Sequence, residues 1–152
     1  MNPSQLLELL AVTSAGIVAG GQLLVLAAII PARQLLPVPA AVRLHRESSR
    51  RIDRYMPATV AISALAAGSL LIPSVRGDAD KAFLITGLVC SFIVGLLSAM
   101  VLMPTNRCIE QWPDTVGEPE FRSVFARWNR MHAARTVSAV LALVAYALAV
   151  AS

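Results

Sequence analysis

Polar and aromatic side chains gather where the last apolar stretch begins, in RWNRMHAARTVSAVLALVA. Trp128, His132 and Arg135 are spaced four and three residues apart, so they share one face of a helix. Asn106 follows the preceding apolar stretch, and antiparallel packing of the two stretches would bring it to the same end. A neutral histidine can act as a general base, and arginine or asparagine can stabilise an oxygen on which negative charge develops. Polar groups at this depth are candidate functional residues.

The first long loop supplies two further candidates, His45 and Tyr55, on the same side. Taken singly, these residues have ordinary explanations. Trp128 is typical of a membrane-interface anchor, Asn106 of a helix end, and His45, in an arginine-rich loop, of a solvated side chain. Their convergence at one depth is what favours a site, and it makes His45 and Tyr55 candidate substrate-binding residues.

The composition predicts an integral membrane protein. Of the 152 residues, 57% are hydrophobic and 14% are charged, whereas soluble domains have about 25% charged residues. The apolar residues form long blocks, and no nucleotide-binding or metalloprotease motif is present. The net charge of +4 comes from arginines in the loops, which indicates topology and contact with anionic lipid rather than nucleic acid. One domain, 1–152, accounts for the chain.

Four apolar stretches predict four spans, at about 6–30, 57–73, 82–103 and 131–151. We therefore expect an all-α, integral membrane four-helix bundle with short interfacial helices in its two long loops. The first stretch ends at Pro31, and the third ends at Pro104, in the sequence PTN. Ser4 could cap the first helix, and Asp78 or Asp80 the third. Gly16 and Gly20 form a GxxxG pattern, for which packing inside the bundle is favoured over dimerisation, although a homo-oligomer stays open.

The basic residues predict the orientation. Ten arginines lie in the two long loops, against two basic residues, Arg76 and Lys81, in the short loop. The positive-inside rule then places both long loops in the cytoplasm and both termini outside a cell membrane that the chain crosses several times. The second long loop, from Glu118 to Arg135, is amphipathic at helical spacing and can continue unbroken into the last span.

A resemblance to a known family adds to these predictions. The segment MPTNRCIEQW, followed by RWNRMHAARTVSAVLALVA, resembles the anthrone oxygenase family of small four-span membrane proteins. Members typically have an asparagine after the third span and W-x3-H-x2-R at the start of the fourth, which correspond here to Asn106, Trp128, His132 and Arg135. Glycines in the first span and a proline at its end also fit, whereas the specific motifs cover only the second half of the chain.

The resemblance implies an oxidoreductase that oxidises an anthrone to an anthraquinone with O2, an activity of polyketide pathways, without a metal or organic cofactor. His132 would be the general base, Arg135 and Asn106 would stabilise negative charge, and Trp128 would form a wall against a flat substrate. The partners would be a hydrophobic aromatic small molecule, O2 and membrane lipid, with no nucleic acid.

Two alternatives come from the same residues. His132 and His45 could bind copper, iron or haem, because one histidine from each of two helices is a usual way to hold a metal in a bundle. Cys90 and Cys108 have no ligand spacing and are expected to be structural. The second alternative is a non-enzymatic membrane subunit that binds a quinone or a lipid.

Overall fold

A computed structural model describes residues 2–72, 77–113 and 115–151, and every element in these ranges is helical. The α-helices are α1 (Pro3–Leu24), α2 (Ile30–Gln34), α3 (Val38–Ile52), α4 (Met56–Ser69), α5 (Asp78–Leu97), α6 (Met103–Glu110) and α7 (Glu118–Ala151). Two π-helical turns, Val25–Ile29 and Ser98–Leu102, join α1 to α2 and α5 to α6. The predicted all-α fold is confirmed.

Three continuous helical segments are long and apolar enough to cross a membrane: Pro3–Gln34, Asp78–Glu110 and Glu118–Ala151. The second predicted span, 57–73, coincides with α4, which has 14 residues where a crossing needs about 20. The four-span prediction is therefore borne out for three helices only. Pro73, where the second span was predicted to end, lies outside the described residues, as does Arg76.

The long helices pack around a core of small residues. α1 contacts α4 and α7, and α5 contacts the same two helices, so each of the four has two neighbours. The shared core contains Ala11, Ala66, Ala142 and Tyr146, whereas large apolar side chains such as Phe92 are exposed on the outside. Small residues let helix backbones approach closely, and an apolar exterior suits lipid.

The GxxxG prediction is only partly correct. A Cβ at Gly16 would meet Leu143 at 3.9 Å, and one at Gly20 would meet nothing within 4 Å. Ala15, beside Gly16, is buried and does mediate packing. The close approach lies elsewhere, at Gly87, where a Cβ would overlap the ring of Tyr146. The pattern identified a small-residue face of α1 but not the glycine that the packing requires.

Both predicted helix caps are wrong by one to three residues. Asn2, not Ser4, caps α1, with its side chain accepting a hydrogen bond from the backbone N–H of the third helical residue. Gly77 occupies the cap position of α5, and Asp78 and Asp80 lie in its first turn. Carboxylates there interact favourably with the positive end of the helix dipole.

The helices continue through the prolines that were expected to end them. Pro31 lies within α2 and Pro104 within α6. Proline lacks an N–H and crowds the carbonyl four residues earlier, and the wider π turn before each proline relieves that conflict. Each π turn also shifts the helical register of the residues after it. Two polar residues that come after these turns, Arg33 and Asn106, are buried.

The other two helix predictions are confirmed. α7 runs without a break through 34 residues, so the amphipathic loop and the last span are one helix. α3 covers most of the first long loop and packs against α2 and α6 through a buried face that includes Val42 and His45. Because both helices reach the same end of the bundle, they bring the predicted site residues together.

Candidate active site

A stripe of side chains on α7 forms one wall of the site. Phe125, Trp128, His132 and Arg135 follow one another at steps of three and four residues. The first three are buried, and the rings of Trp128 and His132 stack with centroids 4.9 Å apart and planes 3° from parallel. The predicted shared helical face is therefore present, and it points into the protein.

Asn106 connects α6 to this stripe. Its Oδ1 accepts hydrogen bonds from Trp128 Nε1 at 2.8 Å and from His45 Nε2 at 3.1 Å. Because an indole N–H can only donate, the amide oxygen must face Trp128, and His45 must then carry its proton on Nε2. The Nδ2 group of Asn106 donates to Asp53 Oδ2 at 3.0 Å. One amide thus joins three elements of the fold.

His45 is buried rather than solvated, with 3% of its surface exposed. The expectation from the arginine-rich loop fails because α3 is amphipathic and His45 lies on its inward face. Arg33 Nη1 donates to His45 Nδ1 at 2.9 Å, which agrees with the proton on Nε2. Burial, together with the charge of Arg33, lowers the pKa of His45 to about 3. This imidazole is neutral at physiological pH.

His132 has the same protonation pattern, with a different arginine. Arg135 Nη2 lies 2.9 Å from His132 Nδ1, and a guanidinium can only donate, so Nδ1 accepts. His132 Nε2 then donates to the backbone carbonyl of Gln22 at 3.2 Å. Arg135 Nη1 donates to Ser98 Oγ at 3.1 Å. Both histidines are therefore neutral, and an arginine occupies the lone pair of each.

In this arrangement the metal or haem alternative would need both arginines to release the histidine lone pairs. A histidine binds a metal through a ring lone pair, and in both histidines that lone pair accepts from a guanidinium. Within the described residues, no three His, Cys, Asp or Glu side chains are grouped so that they could hold a metal ion. Cys90 and Cys108 are free thiols, and Cys108 is exposed.

Tyr55 is not part of the cluster. It precedes α4 and is 49% exposed, and its backbone carbonyl accepts from Thr59 Oγ1. The turn between α3 and α4 places Asp53 beside Asn106 instead. A turn reverses side-chain direction within two residues, which a sequence pattern does not resolve. The predicted convergence therefore holds for five of the six residues, and Tyr55 is the exception.

Two of the cavities that adjoin the cluster share Asp53 and Arg135. The inner cavity, of about 30 Å³, is lined by Val25, Ile29, Arg33, His45, Ser48, Ser49, Ile52, Asp53, Asn106, Trp128, His132 and Arg135. The outer cavity, of about 170 Å³, lies between α4 and α5. A larger hollow of about 470 Å³ borders the cluster through Arg33, Phe125 and Asn129 but does not reach His132 or Arg135. Another, of about 520 Å³, is lined by Gln5, Val150 and their neighbours and lies away from the cluster.

Several residues of the site were not predicted from the sequence. Arg33, which is 2% exposed, also donates to Asn129 Oδ1 at 2.6 Å and lies 4.1 Å from the centroid of the Phe125 ring. A signal for it existed, because Arg33 stands two residues after a proline just as Asn106 does. Gln22 is an isolated polar residue in an apolar run, which also marks a candidate. Asp53 had no comparable signal among the charges of its loop.

Comparison with known proteins relates the chain to a family. The family model described as anthrone oxygenase matches residues 46–145, a range that contains Asp53, Asn106, Trp128, His132 and Arg135. No curated protein and no solved structure matches the chain. The family match covers more than half of the sequence, and the residues that carry the resemblance are those that meet in the buried cluster. The chain belongs to the anthrone oxygenase family.

Proposed function

We propose that this protein is a membrane oxygenase that uses O2 to convert a hydrophobic phenolic or anthrone-type substrate to a quinone, without a metal or organic cofactor. One observation carries the proposal: Asn106, Trp128, His132 and Arg135, which lie within the family match, meet in one buried, hydrogen-bonded cluster. The three long apolar helices support a membrane location and access to a lipid-soluble substrate.

The reaction needs a base and a charge stabiliser, and the substrate itself supplies the electrons. Loss of a proton from the methylene carbon of an anthrone leaves an aromatic phenolate anion. One electron passes to O2, and the resulting radical and superoxide combine to form a C–O bond. After protonation, the hydroperoxide loses the second methylene proton and its O–O bond breaks. The products are a carbonyl group and one molecule of water.

His132 is the base in this proposal, but it can accept a proton only after Arg135 has moved. Its single lone pair, on Nδ1, is held by the guanidinium at 2.9 Å. The carbonyl oxygen of the bound substrate attracts Arg135 away from Nδ1, and the same guanidinium then stabilises the phenolate that forms as the proton leaves. The hydrogen bond from Nε2 to the Gln22 carbonyl meanwhile keeps the imidazole in place. Proton removal and charge stabilisation are therefore coupled through one arginine.

Asn106 and Trp128 act as positioning residues. The Asn106 oxygen already accepts from both Trp128 and His45, and its Nδ2 donates to Asp53. One of the two Nδ2 hydrogens is given to Asp53, so at most one uncharged N–H remains for a substrate oxyanion, and the charged guanidinium of Arg135 is the stronger stabiliser. Trp128 stacks on His132 and fixes the plane of the imidazole. The inner cavity of about 30 Å³ accommodates a molecule the size of O2 or water, not a fused-ring substrate.

Asp53 is the competing base. Its carboxylate borders both cavities and lies next to Asn106 Nδ2. Unlike His132, it does not need Arg135 to move before it can accept a proton. The two assignments differ in which substitution abolishes the chemical step, so they can be separated by experiment.

The test is O2 uptake and quinone formation by detergent-purified protein supplied with a hydroxylated anthrone. We expect His132→Gln to lower kcat by about 100-fold or more, the usual effect of losing a general base, and Asp53→Asn to lower it less. Arg130→Gln, at an exposed position of the same helix, is the matched control and should leave kcat unchanged. Circular dichroism and gel filtration would establish that each variant is folded.

Three outcomes would contradict the proposal. A larger loss in Asp53→Asn than in His132→Gln would transfer the role of base to Asp53. Stoichiometric copper, iron or haem in the wild type, lost in His132→Gln, would overturn the cofactor-free mechanism. Quinone formation no faster than the uncatalysed reaction, in protein that still binds the quinone, would favour a non-enzymatic quinone-binding subunit.

A further inference from the structure

The outer cavity lies between two helices and reaches the outside of the bundle. Its volume is about 170 Å³, and it is lined by Gln22, Asp53, Met56, Pro57, Val60, Val94, Gly95, Ser98, Ala99, Met103 and Arg135. Pro57 of α4 and Ala99 of the second π turn are exposed, whereas Gln22 and Val94 are buried. The cavity therefore runs from a surface that faces lipid to the polar cluster.

Two polar atoms in this lining have no partner. They are Gln22 Oε1 and Arg135 Nε, and within the described residues no other buried side-chain nitrogen or oxygen lacks a hydrogen bond. Gln22 is 3% exposed, so solvent at the protein surface does not reach it. A buried polar group without a partner costs about 1–3 kcal/mol, and native proteins have few of them. One atom is an acceptor and the other is a donor.

The size and walls of the cavity restrict what could satisfy these two atoms. Engineered cavities of about 150 Å³ accept a benzene ring, so this cavity takes one ring of a larger molecule. Met56, Val60 and Val94 provide apolar walls for that ring. A Cβ at Gly95 would meet nothing within 4 Å, so the glycine leaves open space there. The rest of the ligand would extend past Pro57 and Ala99 towards the lipid.

We propose that this cavity is the ligand-binding site and that it takes, from the bilayer, a flat aromatic ligand with a hydroxyl group beside an acceptor oxygen. The hydroxyl donates to Gln22 Oε1, and the acceptor oxygen accepts from Arg135 Nε–H. That this ligand is also the substrate rests on the proposed function, whereas binding does not. Gln22 is then a specificity-determining residue, and it lies outside the range matched by the family model.

Arg135 connects this site to the proposed chemistry. Its Nε is the unpartnered donor of the outer cavity, and its Nη2 holds His132 Nδ1 at 2.9 Å. A ligand oxygen that binds Nε–H therefore contacts the same group that must release His132. A ligand in the cavity would therefore change the hydrogen bond at His132 through Arg135 alone.

The test measures binding of two quinones to the protein in lipid nanodiscs, followed by quenching of tryptophan fluorescence. The probes are 1,8-dihydroxyanthraquinone, which has the hydroxyl and acceptor pair, and 9,10-anthraquinone, which has no hydroxyl. Both are fully oxidised, so neither is turned over. We expect the wild type to bind the hydroxylated probe more tightly, and Gln22→Leu to reduce that preference by about tenfold, the effect of one hydrogen bond.

Two glycine variants test the location. Gly95→Phe fills the cavity and should abolish binding of both probes, and Gly95→Ala, which fills less of it, should weaken binding in folded protein. Gly68→Phe is the matched control, because Gly68 is also half-buried with no atom within 4 Å of an added Cβ and is not in the cavity lining. It should bind both probes as the wild type does.

The results separate this proposal from the proposed function. Binding of both probes unchanged in Gly95→Ala and Gly95→Phe would overturn the location of the site. An unchanged preference in Gln22→Leu would overturn the recognition by Gln22 and assign its oxygen to a bound water. Quinone binding with the expected pattern but no O2 uptake would contradict the oxygenase proposal and leave the binding site supported. Turnover that is unaffected by Gly95→Phe would contradict the assignment of this cavity as the binding site and leave the oxygenase proposal standing.

Discussion

The two ends of this helix bundle are built from the same helices but differ in how closely they are packed and in how many polar groups they bury. At one end, α1, α4, α5 and α7 pack through alanines, and a polar contact in that core joins Tyr146 Oη to Ser91 Oγ at 3.0 Å. At the other end, two histidines, Arg33 and an asparagine are buried beside the partly buried Arg135, two cavities and two unpartnered polar atoms. The core of the first end is filled and hydrogen-bonded, whereas the second end leaves space and unused hydrogen-bonding groups in its interior. The contrast predicts that substitutions at the first end alter stability and those at the second alter activity.

The largest effect should come from closing the tightest contact of the packed end. Gly87→Leu would drive a side chain into the ring of Tyr146, and overpacking of this kind costs about 1–3 kcal/mol or more. We expect little folded protein after extraction in detergent, measured by gel filtration. Gly68→Leu, in open space, is the control. Normal yield and thermal stability of Gly87→Leu would mean that the two ends are not packed differently.

Arg135→Lys should affect activity with little effect on folding. Lysine keeps the positive charge but not the fork that contacts His132 and Ser98 together. We expect kcat to fall by about 10- to 100-fold, or about 1.4–2.7 kcal/mol of transition-state stabilisation. Arg130→Lys, at an exposed site on α7, should be unaffected. A large drop in melting temperature without a matching loss of specific activity would make Arg135 a structural residue.

Acid should destabilise the polar end through His45. Its pKa in the folded protein is about 3, below the value of about 6.5 in an unfolded chain. The unfolded state therefore takes up the proton first, and stability that is fully present above pH 6.5 is lost as the pH falls towards 3. At pH 5 the loss is roughly 2 kcal/mol. Thermal melting at pH 7 and pH 5 should show a smaller shift for His45→Gln than for the wild type, and equal shifts would indicate a solvated His45.

The smallest effect should follow from the hydrogen bond of the packed end. Tyr146→Phe removes the hydroxyl and leaves Ser91 Oγ without that partner, at a cost of about 1 kcal/mol. Adding Ser91→Ala should cost less than the two single losses together, because the partners are then removed as a pair. Specific activity should not change in either variant. A loss of kcat would show that the packed end contributes to the site.

The parts of the site that depend on local spacing were predicted correctly from the sequence. Trp128, His132 and Arg135 share a face because they lie on one long helix, and that follows from a period of 3.6 residues. The family match likewise depends on motifs that are visible in the sequence. The predicted convergence was wrong for Tyr55, and the solvated position expected for His45 taken singly was also wrong, because both depend on how α3 and the following turn pack. The helix ends at Pro31 and Pro104 were also misjudged, because a π turn relieves a clash that usually ends a helix.

The sequence by itself determined that this chain is helical, apolar enough for a membrane and a member of its family, because composition, helical periodicity and motif spacing are local properties. The tertiary structure alone decided that Arg33 and Asp53 join the cluster, that an arginine occupies the lone pair of each histidine, and that Gln22 and Arg135 line the same cavity. Those features depend on residues more than 100 positions apart in the chain. Such contacts are set by how whole helices pack, and helix packing is not a property of any single segment.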